Sequence, residues 1–390
     1  MKGKKIIMAL TEKGLNALNQ ARKFFPKGRF SAKDLSEACG EKIVAAVLNA
    51  VANQGYMQKL GGAPVEFCLT EGLTEEDYLA LTEQKKGADN KNLRRAARVK
   101  NDEFYTHYED IEAEVMKYRK QFMGKIVYLP CDDPAEKKSE FWSFFVNNFD
   151  AFGLKKLIAT HYDETGQAYK IWVENDLSGD GYVDDSDALQ EDLIGNGDFR
   201  SSECVEILKE CDIVVTNPPF SLFREFVDLI MTHNKQFLII GNKNAYAYKE
   251  IFTLIKNNKV WTGYNAVHNF IQPDGSIKKF GNIGWFTNLQ SIKRNEELIL
   301  TKSYNEIDFP YLDNYNAINI NKVVNIPKDF DGYMAVPITF IDKYNPNQFE
   351  IFGITNTGEE NPGIRLPNTA HGRPLLNGKE LYIRILIKRK

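Results

Sequence analysis

The sequence predicts an α/β protein with a doubly wound, Rossmann-like core, preceded by a small helical module and followed by a smaller α+β region. Four apolar stretches typical of buried strands alternate with helical stretches in the middle of the chain. Three helical stretches and a hairpin signal precede them, and after about residue 290 Asn, Tyr and Pro become frequent. We therefore expect segments at residues 1–75, 76–95, 96–290 and 291–390.

The first segment, residues 1–75, has the pattern of a winged helix-turn-helix. Ser31 is a suitable N-cap for the second helix, and YMQKL and VEFCLT, joined by GGAP, predict a hairpin. The third helix would contact DNA and the hairpin would be the wing. The alternative is a module that binds protein or only packs. Residues 76–95 are polar and predict a linker. The helices are predicted over residues 11–22, 31–38 and 41–53.

The predicted parallel sheet has four buried strands, and the residues that follow them are candidates for a site. In open α/β sheets, ligands bind outside the carboxyl ends of the strands. The strands KIVYLP, KKLIATHY, DIVVT and FLIIG lie at residues 125–130, 155–162, 212–216 and 237–241.

The charge of the 390-residue chain is unevenly distributed. The net charge is -3, but residues 1–100 carry +7 and the other 290 residues carry -10. A basic leading segment favours a local contact with a polyanion, although a solvated surface would look the same. Five scattered cysteines without a CxxC pair argue against a disulfide framework and a zinc site. No apolar run is long enough for a membrane span or a secretory signal, so we expect a cytoplasmic protein.

The most specific motif is Asn217-Pro218-Pro219-Phe220, directly after the strand predicted at 212–216. Two prolines fix the backbone so that its carbonyl groups point away from a strand ladder. Asn217 adds a side-chain carbonyl, and two acceptors can hold both hydrogens of a flat amino group. The nitrogen lone pair then faces an electrophile, while Phe220 offers a ring on which a base can stack. An ordinary proline-rich turn is the alternative.

Residues 100–353 resemble one family, the EcoRI-type adenine-specific DNA methyltransferases, and the tetrapeptide is similar to the catalytic motif of amino-methyltransferases that use S-adenosylmethionine. Residues 1–95 lie outside the resemblance. The stretches that carry it are KNDEFYT (100–106), CDDP (131–134), GLKKLIAT (153–160), GDFRS (197–201), DIVVTNPPFSLF (212–223), FLIIGN (237–242), WFTNL (285–289) and DKYNPNQFEIFG (342–353).

The resemblance implies a set of residues that bind S-adenosylmethionine. Asp198 would accept from the adenine amino group of the cofactor, with helix capping as the alternative. Asp163 is a ribose candidate or a solvated loop residue. As in this family, CDDP replaces the Gly-rich loop of other methyltransferases, so its two carboxylates could bind the ammonium or ribose hydroxyls. The implied set is Phe104, Tyr105 and Thr106 at the methionine end, with Cys131, Asp132, Asp133, Asp163, Asp198 and Phe199.

One further stretch, residues 176–187, partly matches a calcium-binding loop, with a glycine at its sixth position. Its twelfth position is Asp187, which cannot supply the bidentate glutamate of such loops. We interpret the stretch as a polar hairpin insertion and predict no metal.

The Asn217-Pro218-Pro219-Phe220 motif and the family resemblance together predict transfer of methyl from S-adenosylmethionine to the N6 atom of an adenine flipped out of double-stranded DNA. Residues 96–290 would form the methyltransferase core, and residues 291–390 would recognise the target sequence. The alternatives are methylation of an amino group in RNA or of a protein glutamine, and a non-catalytic regulator that binds DNA and senses S-adenosylmethionine. A cognate restriction endonuclease is a possible partner, and monomer and dimer both remain open.

Overall fold

The chain divides into two units, residues 1–101 and residues 102–390. The linker predicted at residues 76–95, together with Phe104 and Asp133, lies outside the described residues. A computed structural model describes residues 12–40, 42–43, 45–53, 57–60, 64–69, 105–132, 140–163, 167–272, 275–355, 364 and 372–390.

The first unit contains the predicted helices and hairpin. Ser31 caps the second helix: its Oγ accepts from Asp34 N (3.3 Å), and the Asp34 carboxylate accepts from Ser31 N (2.8 Å). The third helix begins at Ala45, later than predicted. The elements are α1 (Glu12–Phe24), β1 (Phe30–Ser31), α2 (Ala32–Cys39), α3 (Ala45–Asn53), β2 (Met57–Leu60) and β3 (Glu66–Leu69). The strands pair antiparallel with β3 between β1 and β2. The assignment of this unit as a winged helix remains a prediction.

The second unit contains a large mixed sheet with helices on both faces. Its helices are α4 (Tyr108–Val115), α5 (Glu140–Asn147), α6 (Phe149–Phe152), α7 (Ser202–Glu210), α8 (Phe223–Thr232) and α9 (Lys249–Lys256). Its strands are β4 (Tyr105–Thr106), β5 (Ile126–Leu129), β6 (Lys156–His161), β7 (Tyr169–Val173), β8 (Leu189–Asp192), β9 (Ile213–Thr216), β10 (Gln236–Asn242), β11 (Trp261–Ile271), β12 (Ile277–Thr287), β13 (Ile318–Asn319), β14 (Met334–Pro337), β15 (Phe349–Ile354), β16 (Leu375–Leu376), β17 (Lys379–Glu380) and β18 (Arg384–Arg389). Within the described ranges, no helix has the length and apolarity needed to span a bilayer.

The large sheet has the strand order β4-β11-β12-β10-β9-β5-β6-β7-β8. The four central strands β10, β9, β5 and β6 pair in parallel, which confirms the four predicted core strands. Alternate residues of β5 enter different cores, with Tyr128 on one face of the sheet and Val127 on the other. Burial on both faces explains why these strands are continuous apolar runs.

Antiparallel strands flank the parallel centre. Residues 176–187, predicted as a polar hairpin insertion, connect the antiparallel strands β7 and β8, whereas β11 and β12 were not predicted. On one side β7 and β8 extend the sheet beyond β6. On the other side β12 pairs antiparallel with β10, and β11 pairs antiparallel with β12. Strand β10 ends at Asn242, opposite Ile283, so residues 277–282 of β12 continue beyond the end of β10. We call the extension formed by residues 268–272 and 275–282 the hairpin arm.

A buried carboxylate supports an irregular segment of β11. Glu114 on α4 is fully buried and accepts from Tyr264 N (2.8 Å), Asn265 N (2.8 Å) and Tyr118 Oη (3.0 Å). The register between β11 and β12 shifts in this segment, between Thr262 and Ala266. The carboxylate therefore satisfies backbone N–H groups at an interruption of the ladder.

The C-terminal strands form a second sheet in the order β13-β14-β18-β15. Ile385 and Ile387 of β18 share one hydrophobic core with Ile251 and Ile255 of α9 and with residues of the parallel strands. The region after residue 290 therefore packs on the same core as the large sheet. Its separation as a domain at residue 291 remains a prediction.

Candidate active site

The point at which the strand order reverses lies between β5 and β9. From β5 the chain continues to β6 on one side, whereas β9 and β10 lie on the other side. Ligands of doubly wound sheets bind in the crevice outside the carboxyl ends of the strands at this point. Cys131 and Asp132 follow β5, and Asn217 follows β9. The structure therefore places two predicted motifs at the carboxyl ends of the two adjacent strands that flank this point.

The Asn217-Pro218-Pro219-Phe220 segment follows the buried strand β9 without regular secondary structure and then enters a 3-10 turn at Phe220. Pro218 is buried, while Asn217 and Phe220 are half-buried. The carbonyl of Pro219 accepts from Leu222 N (2.9 Å), which forms a single 3-10 turn before α8. The Pro219 carbonyl is thus engaged within the turn.

Phe220 packs against two aromatic rings of the β11–β12 hairpin. Its ring centroid lies 6.4 Å from that of Phe270 and 6.3 Å from that of Phe280, and both pairs are nearly perpendicular. Phe270 is fully buried and lies opposite Thr106 in the β4–β11 pairing. The predicted methionine-end residues Tyr105 and Thr106 therefore lie beside the ring that supports Phe220.

Asp132 has a structural role that the sequence did not reveal. It is 3% exposed, and its Oδ2 accepts from Trp142 N (2.8 Å) at the N-terminus of α5. A carboxylate at a helix N-terminus satisfies a donor that has no partner within the helix. Burial raises the pKa of the neighbouring Cys131 thiol, so this thiol is protonated at neutral pH.

The loop that carries Asp198 is pressed against the end of β6. Asp163 N donates to Asn196 O (3.0 Å). Gly197 has a φ of +74°, and a Cβ atom there would lie 2.2 Å from the carbonyl oxygen of His161. Only glycine combines this backbone conformation with this close approach. The loop therefore brings the predicted residues Asp163 and Asp198 to adjoining segments.

Arg200 holds the carboxylate of Asp198, a contact that the sequence pattern does not reveal. Its Nε and Nη2 donate to the two oxygens of Asp198 (2.9 and 2.6 Å), and its Nη1 donates to Glu225 (2.8 Å). These hydrogen bonds raise the pKa of Arg200. Ser201, not Asp198, is the N-cap of α7, because its side chain accepts from Cys204 N. The capping alternative for Asp198 is therefore wrong.

Phe199 is buried, and its ring makes an edge contact with Phe226 of α8 at a centroid distance of 5.0 Å. The ring therefore belongs to the packing between this loop and α8.

The carboxylates of the calcium-like stretch are engaged by its own backbone. Asp176 accepts from Gly179 N (2.6 Å) and Gly181 N (2.8 Å), and Asp187 accepts from three further backbone N–H groups. These bonds hold the pKa values of both carboxyls below their ordinary range. Among the residues that the structure describes, no cluster of three or more His, Cys, Asp or Glu side chains could hold a metal ion.

Comparison with known proteins matches residues 92–390 to a family described as "Adenine-specific methyltransferase EcoRI". The chain belongs to this family. It is an adenine-specific DNA methyltransferase, which confirms the resemblance identified in the sequence. The family residues include every described position of the candidate site.

The similarity to three curated relatives extends over nearly the whole length of each relative. Type II methyltransferase M.EcoRI from Escherichia coli is 43% identical over 337 residues, which cover 78% of this chain and 98% of that protein. Type II methyltransferase M.MgeORF184P from Mycoplasma genitalium is 39% identical over 327 residues, covering 77% of this chain and 99% of that protein. Type II methyltransferase M.MpnI from Mycoplasma pneumoniae is 38% identical over 325 residues, covering 76% and 97%. No solved structure matches the chain.

Proposed function

We propose that this methyltransferase transfers the methyl group of S-adenosylmethionine to the N6 atom of an adenine flipped out of double-stranded DNA. The observation that supports this most directly is the position of Asn217-Pro218-Pro219-Phe220. The segment begins at the carboxyl end of β9, beside the point where the strand order reverses.

The amino group of the target base would be held by two carbonyl oxygens. The Asn217 side chain supplies one acceptor. Because the Pro219 carbonyl accepts from Leu222 N, we assign the second acceptor to the Pro218 carbonyl. Two acceptors on the amino hydrogens direct the nitrogen lone pair out of the base plane, and the surrounding buried residues exclude water. The contribution of these residues is alignment of the attacking nitrogen.

The residues at the crevice suit S-adenosylmethionine, which supplies a methyl group that is already activated on a sulfonium. Thr106 is 1% exposed, and its buried Oγ1 has no hydrogen-bond partner among the described residues, which suits a ligand at this position. Carboxylates at the ends of β5 and β6 and before α7 match the ammonium, ribose hydroxyls and amino group of the cofactor. The residues that we propose to hold it are Phe104, Tyr105, Thr106, Cys131, Asp132, Asp133, Asp163, Asp198 and Phe199.

Phe220 would stack against the flipped adenine. Removing a base from the duplex costs a few kcal/mol, and stacking on an aromatic side chain returns about 1–3 kcal/mol. Phe270 and Phe280 hold the Phe220 ring from the hairpin side. A ring held in place by its neighbours loses little conformational entropy when a base stacks on it.

We also propose roles for the segments on either side of the methyltransferase core. Residues 291–390 would recognise the target sequence, and residues 1–75 would form a winged helix that adds DNA affinity, joined by a linker at 76–95 to the core at 96–290. A cytoplasmic location, a cognate restriction endonuclease and a monomeric or dimeric state belong to the same proposal.

The test is radiolabelled methyl transfer to DNA, RNA and protein in parallel, with the parent, Asn217→Ala and Phe220→Leu. The parent should label DNA alone and yield N6-methyladenine. Asn217→Ala should lower the rate by orders of magnitude while cofactor affinity stays near that of the parent, because the interaction acts chiefly in the transition state. Phe220→Leu should flip the base poorly, measured by 2-aminopurine fluorescence, whereas Phe220→Tyr should retain flipping. Near-parental turnover of Asn217→Ala would contradict the catalytic assignment.

A further inference from the structure

The hairpin arm is a two-stranded ribbon beside the candidate active site. Because β12 runs antiparallel to β10, the first residues of β12 lie at the carboxyl edge of the sheet, the edge at which Asn217 follows β9. Residues 277–282 extend beyond the last residue of β10, and six strand residues span about 20 Å. The arm therefore projects past the edge of the sheet at which the catalytic segment lies.

The arm carries an exposed lysine on each of its two faces. Lys278 lies opposite Phe270, and Lys279 lies opposite Asn269. Residues that are paired across strands, and alternate residues along a strand, share one face. Lys278 is therefore on the same face as Phe270 and Phe280, and Lys279 is on the other. Both lysines are exposed.

The face that carries Lys278 is continuous with the aromatic support of Phe220. The Lys278 Nζ lies 5.1 Å from the ring centroid of Phe280, which lies 6.3 Å from that of Phe220. A base that stacks on Phe220 stays bonded through its sugar to two phosphates. A phosphate that leaves the base on the side of the hairpin arm would therefore lie close to the Lys278 ammonium.

We infer that the hairpin arm binds the sugar-phosphate backbone beside the target base, with Lys278 and Lys279 each neutralising one phosphate. This inference rests on the proposed function. A two-stranded β-ribbon fits the major groove of DNA, and phosphate contacts set the register and orientation of a protein on the duplex. Lysines on an exposed edge strand also discourage pairing with another chain, and that role alone would leave DNA affinity unchanged.

The test compares two charge-matched double variants, Lys278→Ala/Lys279→Ala and Lys117→Ala/Lys120→Ala. The control lysines are exposed and lie on the turn Met116–Gln121, which leads into β5 at the opposite, amino edge of the sheet. Affinity for a duplex with the target site is measured over a range of salt concentrations in the presence of S-adenosylhomocysteine. The slope of log K against log salt should fall in magnitude by about 1.8 in the arm variant, 0.9 per phosphate, and stay parental in the control.

Two further measurements make the outcome decisive. Both double variants should bind S-adenosylhomocysteine as the parent does, and Lys278→Arg/Lys279→Arg should keep the parental slope. A slope in the arm variant equal to that of the control would overturn the inference. Formation of N6-methyladenine by that variant at saturating DNA would then leave the proposed function intact. Absence of N6-methyladenine with the parent enzyme would instead refute the proposed function without bearing on the slope.

Discussion

Replacement of Gly197 by alanine should separate backbone conformation from steric contact in the loop that carries Asp198. Gly197 and Gly179 have nearly the same φ, +74° and +78°. A Cβ atom at Gly179 meets nothing within 4 Å, whereas at Gly197 it would lie 2.2 Å from the carbonyl oxygen of His161. Gly179→Ala is therefore a matched control, because both substitutions incur the left-handed conformation but only one creates a clash.

These distances give the expected losses of stability and of affinity for S-adenosylhomocysteine. The left-handed conformation costs an alanine about 1–2 kcal/mol at either position. Real Cβ contacts essentially never fall below 3.0 Å, so Gly197→Ala must move the loop or the end of β6 by at least 0.8 Å. Overpacking of this kind adds about 1–3 kcal/mol to the loss of stability. A displacement near 1 Å at Asp198 should weaken binding of S-adenosylhomocysteine about tenfold, or about 1.4 kcal/mol.

The assay is isothermal titration of both variants with S-adenosylhomocysteine, alongside urea unfolding monitored by tryptophan fluorescence. Gly179→Ala should bind S-adenosylhomocysteine as the parent does, and its free energy of unfolding should fall only by the cost of the left-handed conformation. If Gly197→Ala binds with the affinity of Gly179→Ala, the loop is not part of the cofactor site. Equal unfolding free energies for the two variants would refute the steric argument.

Two other perturbations test the buried carboxylate and the N-terminal unit. Burial raises the pKa of Glu114 above its ordinary value of 4.5, more than its hydrogen bonds lower it. Folding therefore favours the protonated form of Glu114. Its contribution to the free energy of unfolding is fully present below pH 4.5 and is lost as the pH rises through the folded-state pKa. The loss is about 1.4 kcal/mol for each pH unit between the unfolded-state and folded-state pKa values. Glu114→Gln should lack this dependence in urea titrations at several pH values, and parallel curves for parent and variant would contradict it. Deletion of residues 1–90 should reduce the salt dependence of DNA binding while cofactor binding persists, and an unchanged slope would indicate that this unit binds protein or only packs.

Local sequence was sufficient to predict the features that depend only on residues close together in the chain. The four parallel strands were predictable because burial on both faces requires continuous apolar runs. The cap at Ser31 was predictable because a capping box involves residues three apart. The place of Asn217 after a core strand was predictable for the same reason, since the motif directly follows an apolar run.

The tertiary structure alone decided which segments meet. Alternation along a strand specifies which face each side chain occupies but not which strand lies beside it, so the reversal of strand order between β5 and β9 was not predictable. For the same reason the pattern did not reveal that Phe270 and Phe280, which follow it in the chain by 50 and 60 residues, support Phe220. Arg200 joins Asp198 to Glu225 across two elements, and Asp132 caps a helix that begins eight residues later. Such contacts depend on how the whole sheet and its helices pack, because charged and aromatic side chains find their partners through space and not through the period of a single element.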